Sequence, residues 1–415
     1  MNILLIHQYA GNKGDRAVLV SLVHLLNRIF SDSTISVSTS DPQKWTDADL
    51  LEHGNVEFCP EAWDFTNVNS CCLYFKVLQQ LKKYTFTILR FFTSHRIKLF
   101  LPLFVNPLFY EKLKDADVII SVGGHHYTTI LSRDLVSGVN YDSMCVMLAG
   151  KPLILFSQSF GPFIFHNPRN RDLTQRILNY CNGIYYREKS SLRELQSLSI
   201  ELPYIQETKE TVLALNSVIK EKIAIRQRKK QIGIAIYSTQ QRTPEQLTDY
   251  CNTLCAFINL VIKDGFSVLF FPMELKHSAP DDRWLIKRII AMVNSEKVNY
   301  IDDDMPTLKH LQMVMECSMF IGHKTHSTIF SIATGTPLIG ICYHPKTLEF
   351  MKQFECAEYA IVDDKLTTDI LYSKYKKLNQ RLEEVSEHLF TLARAAERKI
   401  SDDLKASISK ALSRQ

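Results

Sequence analysis

Short apolar runs, each followed at once by a polar or glycine-bearing turn and then by a helix-periodic stretch, recur along the chain, and this alternation constrains the fold more than any other feature. Its clearest instance lies between Met319 and Phe354. Met319-Phe320-Ile321-Gly322 reads as a buried strand, His323-Lys324-Thr325-His326 as the turn after it, and a helix is predicted from about Ser327 to Thr334, stopped by Gly335. A second strand, Leu338–Cys342, leads into Tyr343-His344-Pro345-Lys346 and another helix. Parallel strands joined by helical crossovers send their post-strand loops to the same carboxyl edge of the sheet, where open α/β folds bind ligands. Lys324, His326 and Lys346 are therefore expected to converge. Two cations and an imidazole at helix N-termini suit an anionic substrate that needs proton transfer. Loop histidines and lysines are more often solvated surface groups, so this unit alone leaves both readings open.

The first half repeats the rhythm, with strands at Ile3–Ile6, Ile35–Ser38, Val118–Val122, Leu153–Ser157 and Gly183–Tyr186, and a helix from Arg16 to Ile29. A charged run from Lys220 to Lys230 precedes Ile232-Gly233-Ile234-Ala235-Ile236, which opens a second α/β series with a helix from about Pro244 to Lys263 and a strand at Ser267–Phe271. For a chain of 415 residues, at roughly 100–200 residues per domain, two α/β domains are expected. They are placed at 1–220, with an insertion at about 70–108, and at 231–385, followed by a helical segment over 386–415. Ser278 and Asp281 read as a capping box, in which Asp281 and Asp282 favour a helix N-terminus.

A net charge of +5 is modest for this length and argues against a dedicated nucleic-acid binder. The ten cysteines lack the paired spacings of a zinc site, and Cys251-x-x-x-Cys255 reads as ordinary buried thiols in a reducing compartment. Asn2-Ile3-Leu4-Leu5-Ile6 enters a strand directly, without a charged leader, so a cytoplasmic protein is expected. One segment departs from the average. Between Asp64 and Glu111 there is no acid, while Lys76, Lys82, Lys83, Arg90, Arg96 and Lys98 interleave with phenylalanines and tyrosines. Charges interrupt every apolar run well short of the ~18–20 residues that span a bilayer. Two readings remain: a surface that lies on an anionic membrane at its inner face, or a helical insertion packed on the first domain.

Three further turns sit at strand ends. Asn12-Lys13-Gly14-Asp15 follows the first strand and matches neither the dinucleotide fingerprint nor a Walker loop. Gly123-Gly124-His125-His126 follows Val118–Val122, and Gln158-Ser159-Phe160-Gly161-Pro162 follows Leu153–Ser157; Arg187 adds a cation after Gly183–Tyr186. Each alone is as readily a tight turn as a ligand contact.

Taken in order, these pieces resemble the polysaccharide pyruvyl transferase family over most of the chain. The shared pattern is Asn12-x-Gly14-Asp15, Gly123-Gly124, Gly161-Pro162, Arg187-Glu188, the basic-x-His motif Lys324-x-His326, and the stretch from Pro337 to Lys346. Two positions depart from it. The family usually has Arg where this chain has Lys324, and often a third Gly where it has His125; lysine keeps the charge but loses the bidentate fork. The resemblance implies two Rossmann-like domains facing a cleft, a glycosyltransferase-B-like fold with the acceptor in the first domain and the donor in the second. It also implies transfer of a pyruvyl group from phosphoenolpyruvate to two hydroxyls of a sugar, free or lipid-linked, with no cofactor or metal. On that reading Asn12, Asp15, Gly123, Gly124, His125, Gly161, Arg187, Lys324 and Lys346 contact substrate, and His326 moves the proton. The rival on the same architecture is a sugar-nucleotide glycosyltransferase. A third class is a non-catalytic assembly protein of the same pathway.

Overall fold

The computed structural model describes the chain apart from residues 9–11, 41, 46, 67–76, 78–79, 96, 99, 131–136, 201–203, 220–221, 239–241, 276–280 and 414–415. Ser278 of the expected capping box, Cys71, Cys72, Lys76 and Arg96 thus lie outside the described residues. The chain divides into two compact units. One comprises residues 1–10, 18–211 and 399–415, the other residues 11–17 and 212–398.

The first unit is built on a seven-stranded parallel sheet. Its strands are β1 (Asn2–Gln8), β2 (Thr34–Thr39), β3 (Val56–Pro60), β4 (Val118–Ser121), β5 (Leu153–Gln158), β6 (Gly183–Tyr186) and β7 (Ile205–Glu207), in the order β3-β2-β1-β4-β5-β6-β7. A parallel sheet is covered on both faces. Accordingly β4 and β5 are buried at every position, which is why they read as continuous apolar runs. The second unit repeats the plan with β8 (Lys229–Ala235), β9 (Ser267–Phe270), β10 (Val298–Tyr300), β11 (Cys317–Gly322), β12 (Leu338–Cys342) and β13 (Ala360–Val362), in the order β10-β9-β8-β11-β12-β13. All pairings are parallel. Both orders are Rossmann-like, and each reverses direction once, between β1 and β4 and between β8 and β11. In such sheets the crevice outside the strand carboxyl ends at this reversal is where ligands sit.

The described part of the basic aromatic insertion forms the helix Lys82–His95. Its inner face buries Thr85, Leu89 and Thr93, and Leu89 joins the first unit's core with Phe86 and Phe92 packed against it. The helix Leu382–Leu412 near the C-terminus buries Leu389, Ala393, Ile400, Leu404 and Ile408 at helical spacing. The eight described cysteines, Cys251 and Cys255 among them, are free and buried. Among the described residues, no helix is long and apolar enough to cross a membrane.

Candidate active site

In the second unit β11 and β12 pair in register from Phe320↔Leu338 to Gly322↔Gly340, so the turns after them emerge at one edge. Lys324 occupies the N-cap position of the helix Thr325–Ala333 without a side-chain cap bond, His326 lies in that helix's first turn, and Lys346 lies in the first turn of the helix Pro345–Gln353. Thr325 and Thr347 bond hydroxyl to hydroxyl at 2.7 Å, which ties the two helix starts together. His344 accepts the backbone N–H of Lys346 through Nδ1 at 3.2 Å and so caps the second helix.

The Asn12–Asp15 turn meets this edge from the other end of the chain, and it groups with the second unit. Asn12 accepts the Gly14 N–H at 2.6 Å and donates through Nδ2 to Glu274 Oε2 at 3.1 Å. The Lys13 N–H donates to the Met273 carbonyl at 3.1 Å, and Arg16 Nη1 reaches both carboxylate oxygens of Asp304 at 2.9 and 2.7 Å. Lys13 Nζ also pairs with Asp304. Asp15, half-buried, sits in the first turn of the helix Lys13–Ile29, where a negative charge is favoured. Gly14 is required by packing. A β-carbon there would lie 2.0 Å from His326 Nδ1 and 2.1 Å from Cγ, so the imidazole rests directly on the glycine backbone.

Lys324 does not stand as an isolated cation. Its ammonium is 3.1 Å from Asp282 Oδ2 and 3.5 Å from Glu274 Oε2, and lies over the Tyr237 ring at 5.6 Å. Asp282 is wholly buried and is no side-chain helix cap; its carboxylate accepts the backbone N–H groups of Met273 and Glu274 at 3.0 and 2.9 Å and the Ser238 hydroxyl at 2.7 Å. The helix does start here as expected, at Arg283, with Asp282 in the N-cap position and Asp281 accepting the Arg283 N–H at 2.9 Å, while the Asp282 carboxylate ties the turn after β9 to Lys324. Burial pushes the Glu274 carboxyl above its ordinary range, with Lys324 pulling the other way. Glu274 thus binds a proton more readily folded than unfolded, and its contribution to stability falls as the pH rises above 4.5. Relative to Glu274→Gln, the wild type should lose stability over that window, read as a growing gap between the two melting temperatures.

Behind Lys324, His323 is fully buried at the end of β11, with Nδ1 2.9 Å from the Tyr250 hydroxyl and Nε2 3.0 Å from Asp363 Oδ1. Burial lowers its basicity against the opposing pull of Asp363. Arg242 grips both oxygens of Asp363 at 2.6 and 2.8 Å and stacks over Tyr250 at 4.2 Å. These groups border a cavity of about 450 Å³ at the carboxyl ends of β8, β12 and β13, walled by Tyr237 and Tyr343 at 4.3 Å between ring centres and by Asp249 and Asp364.

The first unit brings together the Gly-Gly and Gly-Pro turns. Gly123 lies where a β-carbon would meet the Ser157 carbonyl oxygen at 2.9 Å, and the Gly124 carbonyl accepts the Ser159 N–H at 2.8 Å. His125 Nε2 contacts the Gly161 carbonyl oxygen. Arg187 is buried, with Nε donating to Ser159 Oγ at 2.7 Å and its guanidinium paired with Glu210 and Glu188. Removing it would take from the fully buried Glu210 the guanidinium it pairs with. Arg187→Ala is therefore expected to destabilise the protein by about 3–5 kcal/mol, seen as a lowered denaturant midpoint.

The sequence reading gives no role to Glu274 or His7, takes Asp282 only as part of a helix start, and has His126 only as part of a glycine turn. Glu274 and Asp282 follow β9, on the same edge as the motif residues. His7, fully buried, and His126, half-buried, lie with their rings 5.7 Å apart, and His7 Nδ1 is 2.8 Å from Ser121 Oγ. Burial, then the Arg187 charge, lowers His126 to about 4. The signal that points to Glu274 and His126 is position alone: each follows a central strand closely.

A family model described as polysaccharide pyruvyl transferase matches residues 12–345. The chain is 26% identical to the amylovoran biosynthesis protein AmsJ of Erwinia amylovora, over 98% of this chain and 100% of that one. Among solved structures it resembles the UDP-GlcNAc 2-epimerase of Neisseria meningitidis, with a TM-score of 0.59, 13% identity, and 97% and 99% of the two chains covered. It also resembles the α,α-trehalose 6-phosphate synthase of Burkholderia multivorans, with a TM-score of 0.54, 9% identity, and 98% and 96% covered. At such identities the likeness concerns the fold, which is of the two-domain glycosyltransferase-B type.

Proposed function

The chain belongs to the polysaccharide pyruvyl transferase family, and from that premise we propose that it transfers a pyruvyl group from phosphoenolpyruvate to two hydroxyls of a sugar in an exopolysaccharide or its lipid-linked precursor. One hydroxyl adds to C2 of the enol as C3 takes a proton; the second hydroxyl then displaces phosphate from C2. Two C–O bonds form, the C2–O bond to phosphate breaks, C3 becomes a methyl group, and the second hydroxyl proton leaves with phosphate. The product is a cyclic ketal. The relative named for amylovoran biosynthesis supports a polysaccharide as the acceptor.

The observation that carries this reading is the interlocking of two motifs from opposite ends of the chain. Gly14 backs the His326 imidazole, and Asn12 holds Glu274, which in turn neighbours Lys324. In the proposed roles, Lys324 and Lys346 attract the phosphate and carboxylate of the donor at helix N-termini, and His326 passes the proton. Burial raises the Glu274 carboxyl at the same edge, against the pull of Lys324. Lys324 must share its charge between the donor and the carboxylates of Glu274 and Asp282.

The sugar-nucleotide alternative has one feature in its favour, the tyrosine-walled cavity, which can stack a flat base. Its other lining groups count against it. Asp249, Asp363 and Asp364 surround the one arginine, Arg242, already gripped by Asp363. That lining repels a diphosphate and suits the hydroxyls of a neutral sugar ring; an acceptor bound there would lie in the second domain, not in the first as the resemblance implies. Incubation with phosphoenolpyruvate and a panel of simple and lipid-linked galactosides should release phosphate and yield a product heavier by one pyruvate less water. Consumption of a uridine or guanosine diphosphate sugar, with phosphoenolpyruvate untouched, would replace this reading by the alternative.

A further inference from the structure

We propose that the outer face of the helix Lys82–His95, together with the arginine pocket beside it, docks the first unit on an anionic lipid bilayer. The inner face of this helix packs on the core, yet its outer face is apolar too. Leu81, Tyr84, Ile88 and Phe91, spaced to form one stripe, are 40%, 69%, 36% and 54% exposed. A helix that needed only to cover the core would present polar groups to water along that stripe. Contiguous exposed apolar residues of this size mark an interaction surface.

Its electrostatics select the occupant. Flanking the stripe, Arg90 on this helix and Arg169 and Arg176 on the helix Pro168–Tyr180 line a pocket of about 330 Å³, with Asp172 its one acid. Arg176 is held in place by Asp172 at 3.0 Å and by the Ser94 hydroxyl at 2.7 Å, and Arg90 Nη1 reaches Asn170 at 3.5 Å. Around the helix, the sequence carries no acid from Phe65 to Tyr110. Aromatic and aliphatic groups at the depth of the headgroups, beside cations that meet phosphates, are what an anionic bilayer surface accepts. The proposal is independent of the donor chemistry, because it uses no residue of the site described above.

The test is co-sedimentation of the full chain with phosphatidylcholine vesicles, with and without phosphatidylglycerol. The wild type should bind the anionic vesicles alone. Tyr84→Ser/Ile88→Ser/Phe91→Ser, at exposed positions, should retain its melting temperature and lose binding by about tenfold or more. Arg90→Gln and Arg169→Gln should each weaken it by about fivefold, which is what about 1 kcal/mol per near-surface cation corresponds to. Absence of wild-type binding, or equal binding by the serine variant, overturns the proposal. So does full competition by inorganic phosphate, which would make the pocket a small-anion site, or a dimer that the serine variant breaks, which would make the face an interface between copies.

Discussion

His326→Ala is expected to lower phosphate release from phosphoenolpyruvate by about 10²–10⁴-fold, the usual contribution of a positioned general acid or base. The ring sits in the first turn of a helix of the second unit, two residues after Lys324 and on the backbone of Gly14. An anion drawn to that helix start would meet the imidazole. The competing account is a histidine that only fills space against the Asn12–Asp15 turn. It predicts a lowered melting temperature with turnover nearly intact. Measuring both quantities, with phosphoenolpyruvate affinity by calorimetry, separates the two: a large loss in turnover with donor affinity largely kept supports the catalytic role, and normal turnover ends it.

Gly14→Ala should have an effect of comparable size for a different reason. Within a helix, Gly to Ala ordinarily stabilises by roughly 0.5–1 kcal/mol. Here the new β-carbon would fall 2.0 Å from His326 Nδ1, a distance no pair of non-bonded atoms tolerates, so the imidazole or the turn must shift by an ångström or more. A displacement of that order in a reacting group costs about 10²-fold in rate. The diagnostic is the double mutant. In a His326→Gly background the whole side chain is gone, including the β-carbon that would lie 2.6 Å away, so adding Gly14→Ala should leave the residual rate unchanged and restore the stabilisation expected of alanine. An equal loss of rate in both backgrounds would mean that Gly14 acts through some contact other than His326.

The central strands were legible because a parallel strand covered on both faces must be apolar throughout. Gly183–Tyr186 and Leu338–Cys342 coincide with the sequence expectation, and β4, β5 and β11 differ from it only at their ends. The strands that were not read are β3, β7, β10 and β13, the four edges of the two sheets. β7 has no fully buried residue and β10 has one in three. An edge strand has one neighbour and a half-wet surface, so its sequence carries a weak periodic signal. The helix expected from about Pro244 to Lys263 has those ends in the structure, where Thr243 and Gln246 form a capping box at its start.

Sequence alone determined the two parallel α/β series, the family, and the placement of Gly123, Gly161, Lys324, His326 and Lys346 after strands, because each of these follows from periodicity along one element or from an ordered set of motifs. Only the tertiary structure decided what those residues face. It sets Asn12 against Glu274, 262 positions away, surrounds Lys324 with Asp282 and Glu274, commits Arg187 to Glu210, and leaves the outer stripe of Lys82–His95 uncovered. A residue's own element is written in its neighbours along the chain. Its partners across the fold are chosen by sheet order and by the burial that forces each charge to find its opposite, and no local pattern carries that information.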